Sequence, residues 1–151
     1  MSTGLRGAAA VLVLVLSGCS AAWLSGDDSE APVIEVINGE SRFELDAWSG
    51  CMSGSSSGFC WDGTPPEDPV DVGVVTGEVK VVTELTGWHW QALARTPSSS
   101  PGAGDELTVE HSDDGRQLRL IVPPGGPYAV DLTGRGEEGD ASYTFTTSGQ
   151  G

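Results

Sequence analysis

The chain has 151 residues, 22 of them acidic and 7 basic, giving a net charge of −15 with histidine neutral. A surface this acidic repels phosphate backbones and anionic headgroups, which excludes nucleic-acid binding and docking on a membrane through the folded surface. Glycine (22 residues) and proline (9 residues) recur too often for long helices, so strands are expected throughout.

The N-terminus opens with one cation, Arg6, followed by an apolar run from Ala8 to Leu16. Those nine residues fall short of the roughly 20 that a helix needs to cross a hydrocarbon core. Ser17, Gly18, Ser20 and the polar stretch from Ser25 to Glu30 prevent the run from extending through Trp23 and Leu24. The three-part form is that of a secretory signal peptide. The segment Leu16-Ser17-Gly18-Cys19 resembles the lipobox of bacterial lipoproteins. The resemblance implies that residues 1–18 are removed, that Cys19 carries a diacylglyceryl group on its sulfur, and that it becomes the first residue of the mature chain. Two or three acyl chains on one residue anchor stably where a single chain binds only marginally. The expected location is therefore the extracytoplasmic face of a cell membrane. Removing residues 1–18 takes away Arg6 and no acid, so 6 basic residues face 22 acidic ones and the mature charge is −16.

Residues 19–31 read as a lipidated start and a tether. Gly26-Asp27-Asp28-Ser29-Glu30 has nothing to bury and its acids repel one another, which predicts an extended, solvated linker. From Ser20 to Ala31 it reaches at most roughly 40 Å from the lipid.

A β-domain is expected over residues 32–151. Val33 to Ile37 is β-branched and ends at Asn38-Gly39, a hairpin-turn dipeptide. Arg42 to Trp48 alternates, with Phe43, Leu45 and Ala47 on one face. Residues 49–70 read as an irregular loop rich in Gly, Ser and Pro. Asp71 to Leu85 follows, with Val79, Val81 and Leu85 sharing a face, and Trp88 to Ala92 alternates again. After a second loop from Thr96 to Gly104, Leu107 to Glu110 and Leu118 to Val122 pair across the turn Ser112-Asp113-Asp114-Gly115. Tyr128 to Leu132 and Tyr143 to Phe145 complete the set, joined by an acidic, glycine-rich loop from Gly134 to Asp140. Seven or eight strands at regular spacing predict a single antiparallel β-sandwich, immunoglobulin-like in size, with one disulfide-closed loop.

With Cys19 committed to lipid, Cys51 and Cys60 remain as a pair and are expected to be oxidised outside the cytoplasm. The bridge would add roughly 2.5–3 kcal/mol in the chain-entropy model. The alternative, a zinc site with His89 and His111, is disfavoured because zinc-binding cysteines usually stand two to four residues apart. Gly54-Ser55-Ser56-Ser57-Gly58 matches the nucleophile-elbow pattern around Ser56, but it lies in a Ser-Gly run without the strand-to-helix turn that motif requires. Gly134-Arg135-Gly136-Glu137-Glu138-Gly139 matches a dinucleotide fingerprint, yet a strand follows it and two acids face the place of the phosphate. No cofactor and no catalytic constellation is expected, and a hydrolase is the least favoured reading.

Carboxylates are expected to collect in turns: Asp105 and Glu106 in one, Asp113 and Asp114 in a second, Glu137, Glu138 and Asp140 in a third. They are candidate Ca²⁺ ligands, although none follows the usual calcium-loop spacing and acidic turns are commonly solvated surface. Trp88 and Trp90 share a face of one strand and are expected in the core. Trp48 and Trp61 flank the cysteine pair. With Phe59 they form either a cover over the disulfide or a partner-facing knob. Trp48 ahead of Cys51, and Cys60-Trp61-Asp62-Gly63 after it, resemble small uncharacterised lipoproteins of high-GC Gram-positive bacteria. That likeness implies an address and no chemistry. The expected function is a non-enzymatic envelope module that binds another envelope protein or a cell-wall component, with a Ca²⁺-dependent binding domain as the alternative.

Overall fold

A computed structural model describes residues 31–54 and 58–149. The expected signal peptide, Cys19 and the expected tether through Glu30 lie outside the described residues, as does Ser56. Among the described residues the chain forms twelve strands and no helix.

The path alternates between two sheets. Strands β1 (Val33–Asn38) and β2 (Ser41–Asp46) make a hairpin in the first sheet. The chain then crosses at Ala47 and Trp48 into a second hairpin, β3 (Ser49–Ser53) and β4 (Gly58–Asp62), at the edge of the second sheet. Strand β5 (Val70–Val74) joins the second sheet, β6 (Glu78–Val82) the first, and β7 (His89–Arg95) the second again. The short β8 (Asp105–Glu106) edges the second sheet, and beyond Leu107 the chain crosses back as β9 (Thr108–His111) and β10 (Gln117–Ile121). Strands β11 (Tyr128–Gly136) and β12 (Gly139–Ser148) form the long hairpin at the centre of the second sheet. The spatial orders are β2-β1-β6-β10-β9 and β4-β3-β12-β11-β7-β8, with β5 beside β12.

The expected alternation places the core between the sheets. Ile34, Val36, Val79, Val81, Leu118 and Leu120 from the first sheet are buried, and so are Trp90, Val130, Leu132, Tyr143 and Phe145 from the second. Each such side chain contributes roughly 1.5–3 kcal/mol of hydrophobic stabilisation. Both ends of the first sheet are tied to the second by chain that turns a corner, a common way for one strand to serve two sheets. Ala47 and Leu107 are the buried residues at these corners. The backbone there bonds onto the second sheet, Trp48 N–H donating to Ser142 O at 2.9 Å and Leu107 N–H to Ala92 O at 2.8 Å.

The structure differs from the sequence expectation in five places. Twelve strands replace seven or eight because residues 49–70 contain a hairpin and part of a third strand. Cys51 faces Cys60, Met52 faces Phe59 and Gly50 faces Trp61 in its register, a pairing hidden by the surrounding Ser and Gly. The stretch from Asp71 to Leu85 is split between sheets, with Gly77 at φ 101° in the break. One strand pair is parallel, β5 with β12. The presumed loop from Gly134 to Asp140 is continuous ladder with a two-residue turn at Glu137 and Glu138. The first hairpin likewise turns at Gly39 and Glu40, with Gly39 at φ 62°. Asn38 instead donates its side-chain amide to Val72 O and Val74 O, holding β5 against β1.

Trp88 and Trp90 are buried as expected, and the glycines explain how. Trp90 pairs with Gly134 across the ladder. A Cβ on Gly134 would meet the Trp90 ring at 2.7 Å, and one on Gly136 would meet the Trp88 ring at 2.4 Å. The two indoles lie over bare backbone, and Trp88 Nε1 donates to Glu138 Oε2 at 2.9 Å. Gly136→Val is therefore expected to displace the Trp88 ring at a cost of about 1–3 kcal/mol. Tryptophan emission should shift to the red in the folded state. Glu137→Ala at the neighbouring exposed turn should stay within about 0.5 kcal/mol of the parent in urea melts.

Tyr143 is fully buried and donates its hydroxyl to Pro32 O at 3.0 Å, fixing the start of the domain. Burial, and secondarily the charge of Asp46, raises its ionisation above the ordinary tyrosine value, which is about 10. A raised folded value means that this contribution is complete below pH of about 10 and is lost as pH climbs toward the folded value. Unfolding free energy should fall at alkaline pH, and the slope should flatten in Tyr143→Phe when denaturant melts are run as a function of pH.

Candidate functional site

Strand β12 has β11 along one flank for its whole length. Its other flank is divided: β3 pairs with Gly139 to Ser142, and β5 pairs in parallel from Phe145 onward. Neither strand pairs with Tyr143 or Thr144. Tyr143 points into the core, so Thr144 points to the outer face of the second sheet, where it is nonetheless buried. Trp48 contributes to that cover. Its indole Nε1 donates to Thr144 Oγ1 at 3.2 Å, while the residue remains partly exposed.

Behind Trp48 lies a buried polar network. Thr144 Oγ1 donates to Asp131 Oδ1 at 2.9 Å. Asp131 accepts a two-pronged contact from Arg95, Nε to Oδ2 at 2.8 Å and Nη2 to Oδ1 at 3.3 Å, and also the Gly102 N–H at 3.1 Å. Arg95 Nη1 donates to Ser99 O at 2.7 Å and Pro97 O at 3.4 Å. Both charged residues are buried, at 8% and 9% exposure. The ion pair thus neutralises itself, folds the loop from Thr96 to Gly104 against the sheet, and aims the Thr144 hydroxyl. Sequence reasoning missed this pair. The usable signal is a lone Arg95 closing the apolar Ala92-Leu93-Ala94 run and a lone Asp131 inside Ala129-Val130-Asp131-Leu132.

Two clefts open on either side of Trp48. The first, about 270 Å³, has a floor of Gln91, Thr133, Ser142 and the Asp131 carboxylate, and is closed by Pro101 and Gly102. The second, about 280 Å³, sits in the gap between β3 and β5 and is lined by Thr64, Pro66 and Val70 with the acids Glu44, Asp46 and Asp68. None of those three acids forms an ion pair among the described residues. Trp48 lines both clefts, and Thr144 or its neighbour Ser142 lies at the base of each. The arrangement offers a flat apolar ring between hydrogen-bonding groups.

The other candidate residues fall elsewhere. Cys51 and Cys60 are disulfide-bonded directly across β3 and β4, with Cα atoms 4.0 Å apart and both residues exposed. Phe59 and Trp61 stack at 5.3 Å between ring centroids and alternate with Cys60, so they occupy the opposite face of the hairpin. They do not cover the disulfide. Both are half-exposed; Trp61 packs on the core and donates Nε1 to Ala47 O at 3.1 Å. The knob of Trp48, Phe59 and Trp61 is thereby divided between two faces.

The acidic turns are used locally. Asp114 Oδ1 accepts from Ser112 Oγ and Arg116 N–H, and these bonds hold its carboxyl below the usual range. Glu138 holds Trp88, and Asp140 Oδ1 accepts from Cys51 N–H at 2.8 Å. Asp113 is exposed in its turn. Glu137 and Glu138 line an open cleft of about 540 Å³ together with His89 and Arg135. Among the described residues, no three His, Cys, Asp or Glu side chains gather as a metal site. His89 and His111 are both exposed, on β7 and β9.

Asp131→Asn leaves the buried Arg95 charge without its partner, a change that typically costs about 3–5 kcal/mol. Urea denaturation should show that loss, together with greater mobility of the Trp48 ring in fluorescence anisotropy, since Thr144 loses the carboxylate that orients it.

Comparison with known protein families, characterised proteins and solved structures finds no match to this chain, so the functional reading rests on its own residues.

Proposed function

We propose that this chain is a lipid-anchored extracytoplasmic protein whose β-sandwich is a non-enzymatic binding module of the cell envelope. The ligand is a component of the cell wall or its surface, held against the outer face of the second sheet. The observation that carries the binding reading is Trp48: a large apolar ring left partly exposed between two clefts, while a buried network fixes its polar edge. A rigid aromatic with a satisfied N–H and a free ring is the common form of a binding anchor, because little conformational entropy is lost when a ligand covers it. The lipid anchor is supported by the sequence alone, through the apolar run and the lipobox ending at Cys19.

Two measurements test the two halves of this reading. In the native host, an alkyne-bearing fatty acid should label the wild-type protein, and Cys19→Ser should lose both the label and the membrane association. Retention of label on Cys19→Ser would refute the anchor. Purified cell-wall material should retain the mature chain, and Trp48→Ala should weaken that retention by about thirtyfold, the effect of losing a 2 kcal/mol anchor. Phe59→Ala, on the opposite face of the hairpin, should leave retention unchanged. Equal retention of wild type and Trp48→Ala would remove the site.

A further inference from the structure

We propose that the two clefts beside Trp48 form one site for an uncharged glycan chain, laid across the outer face of the second sheet with sugar rings on both sides of the indole. This rests on the binding reading above and names its ligand class.

Three observations converge on that chemistry. The ring of Trp48 separates the clefts and lines both. An aromatic face stacks well on the apolar C–H face of a sugar, as it does on other flat partners. The groups around the ring are, on one side, the neutral donors and acceptors Gln91, Thr133 and Ser142 beside an Asp131 carboxylate already engaged by Arg95, and on the other the acceptors Glu44, Asp46 and Asp68. Hydroxyls and acetamido N–H groups satisfy both sets, because each hydroxyl can donate to a carboxylate and accept from an amide.

Charge then selects among polymers. Neither cleft is lined by a cation other than through the Asp131 contact, where Arg95 is fully engaged inside the fold. A phosphate or carboxylate polymer would find no counter-charge and would face three unpaired acids in a chain of net charge −15. Two clefts of similar size, about 280 and 270 Å³, flanking one ring further require a ligand with at least two linked units.

The test is a titration of the full mature chain carrying Cys19→Ser, followed by tryptophan fluorescence and calorimetry. The probes are linear oligomers of glucose and of N-acetylglucosamine, the free monosaccharides, and oligogalacturonate as the anionic counterpart. The uncharged oligomers should bind saturably, and at least about tenfold more tightly than the monosaccharides, since only an oligomer fills both clefts. Oligogalacturonate should not bind. Trp48→Ala should weaken oligomer binding about thirtyfold. The paired change Gln91→Ala with Thr133→Ala, on exposed side chains, should weaken it about tenfold without altering the thermal midpoint, so the site is tested even if Trp48→Ala folds poorly. Absence of binding to every uncharged oligomer, while cell-wall material still retains the protein through Trp48, would overturn the glycan assignment and leave the envelope-binding reading intact. Tighter binding of oligogalacturonate would also overturn it. Loss of both activities would overturn both.

Discussion

The divided flank of β12 is the constraint from which the rest follows. A ten-residue strand in the middle of a sheet must find hydrogen-bond partners on both sides. On one side β11 supplies them along the whole length. On the other, two shorter strands share the task, β3 antiparallel and β5 parallel, and they approach from different parts of the chain. The join between them leaves backbone and a threonine that neither strand covers. Trp48 covers that join because the corner out of β2 delivers it there, one residue past the buried Ala47. The cleft beside it is the space left where two strands meet a third without meeting each other.

The same hairpin, β11 and β12, organises the opposite face. Its inner residues alternate Val130 and Leu132 with Gly134, then Gly136, so side-chain volume falls to nothing toward the turn. Trp90 on β7 and Trp88 just before it fill that space. Bulk on one strand is matched by its absence on the next, where the largest side chain is accommodated. The pattern was open to sequence reasoning as Trp-x-Trp and Gly-x-Gly. Glycines at alternate positions, with φ in the ordinary range at Gly134 and Gly136, mark close approach by a ring rather than a turn. Reading them as a loop mistook space made for tryptophan for flexibility.

What was legible in the sequence was the two-sheet β architecture, the core positions of alternating strands and the pairing of Cys51 with Cys60. Short-range physics writes those features: alternation every second residue, turn residues between strands, and an even cysteine count once Cys19 is set apart. The hairpin of β3 and β4 was hidden because Ser49, Gly50, Ser53 and Gly58 carry little strand preference, and its order comes from the ladder to β12, some 90 residues away. The site was hidden for a different reason. Asp131 and Thr144 point away from the core, so their alternation reads as solvent-facing, and only the fold reveals that a tryptophan and a loop bury them. Trp48 was visible as a candidate binding residue, but its grouping with Phe59 and Trp61 followed chain proximity. A strand alternates faces, and proximity along the chain does not place residues on one surface.

The buried Arg95–Asp131 pair ties the stability of the sheet to the shape of the proposed site. Desolvating two charges is expensive, and well-packed apolar residues of similar volume often serve stability as well or better. The pair therefore needs a reason beyond stability. Its carboxylate accepts a hydrogen bond from the Thr144 hydroxyl, which turns the lone pairs of Thr144 Oγ1 outward to accept from Trp48. An apolar substitute at Asp131 would leave the threonine hydroxyl free to rotate and would remove the directional contact that sets the indole's edge. The same carboxylate takes the Gly102 N–H and so places Pro101 and Gly102 at the far wall of the groove. One buried charge thus fixes both the ring and the wall opposite it. A preorganised groove of that kind loses less entropy on binding than one whose walls must be gathered by the ligand.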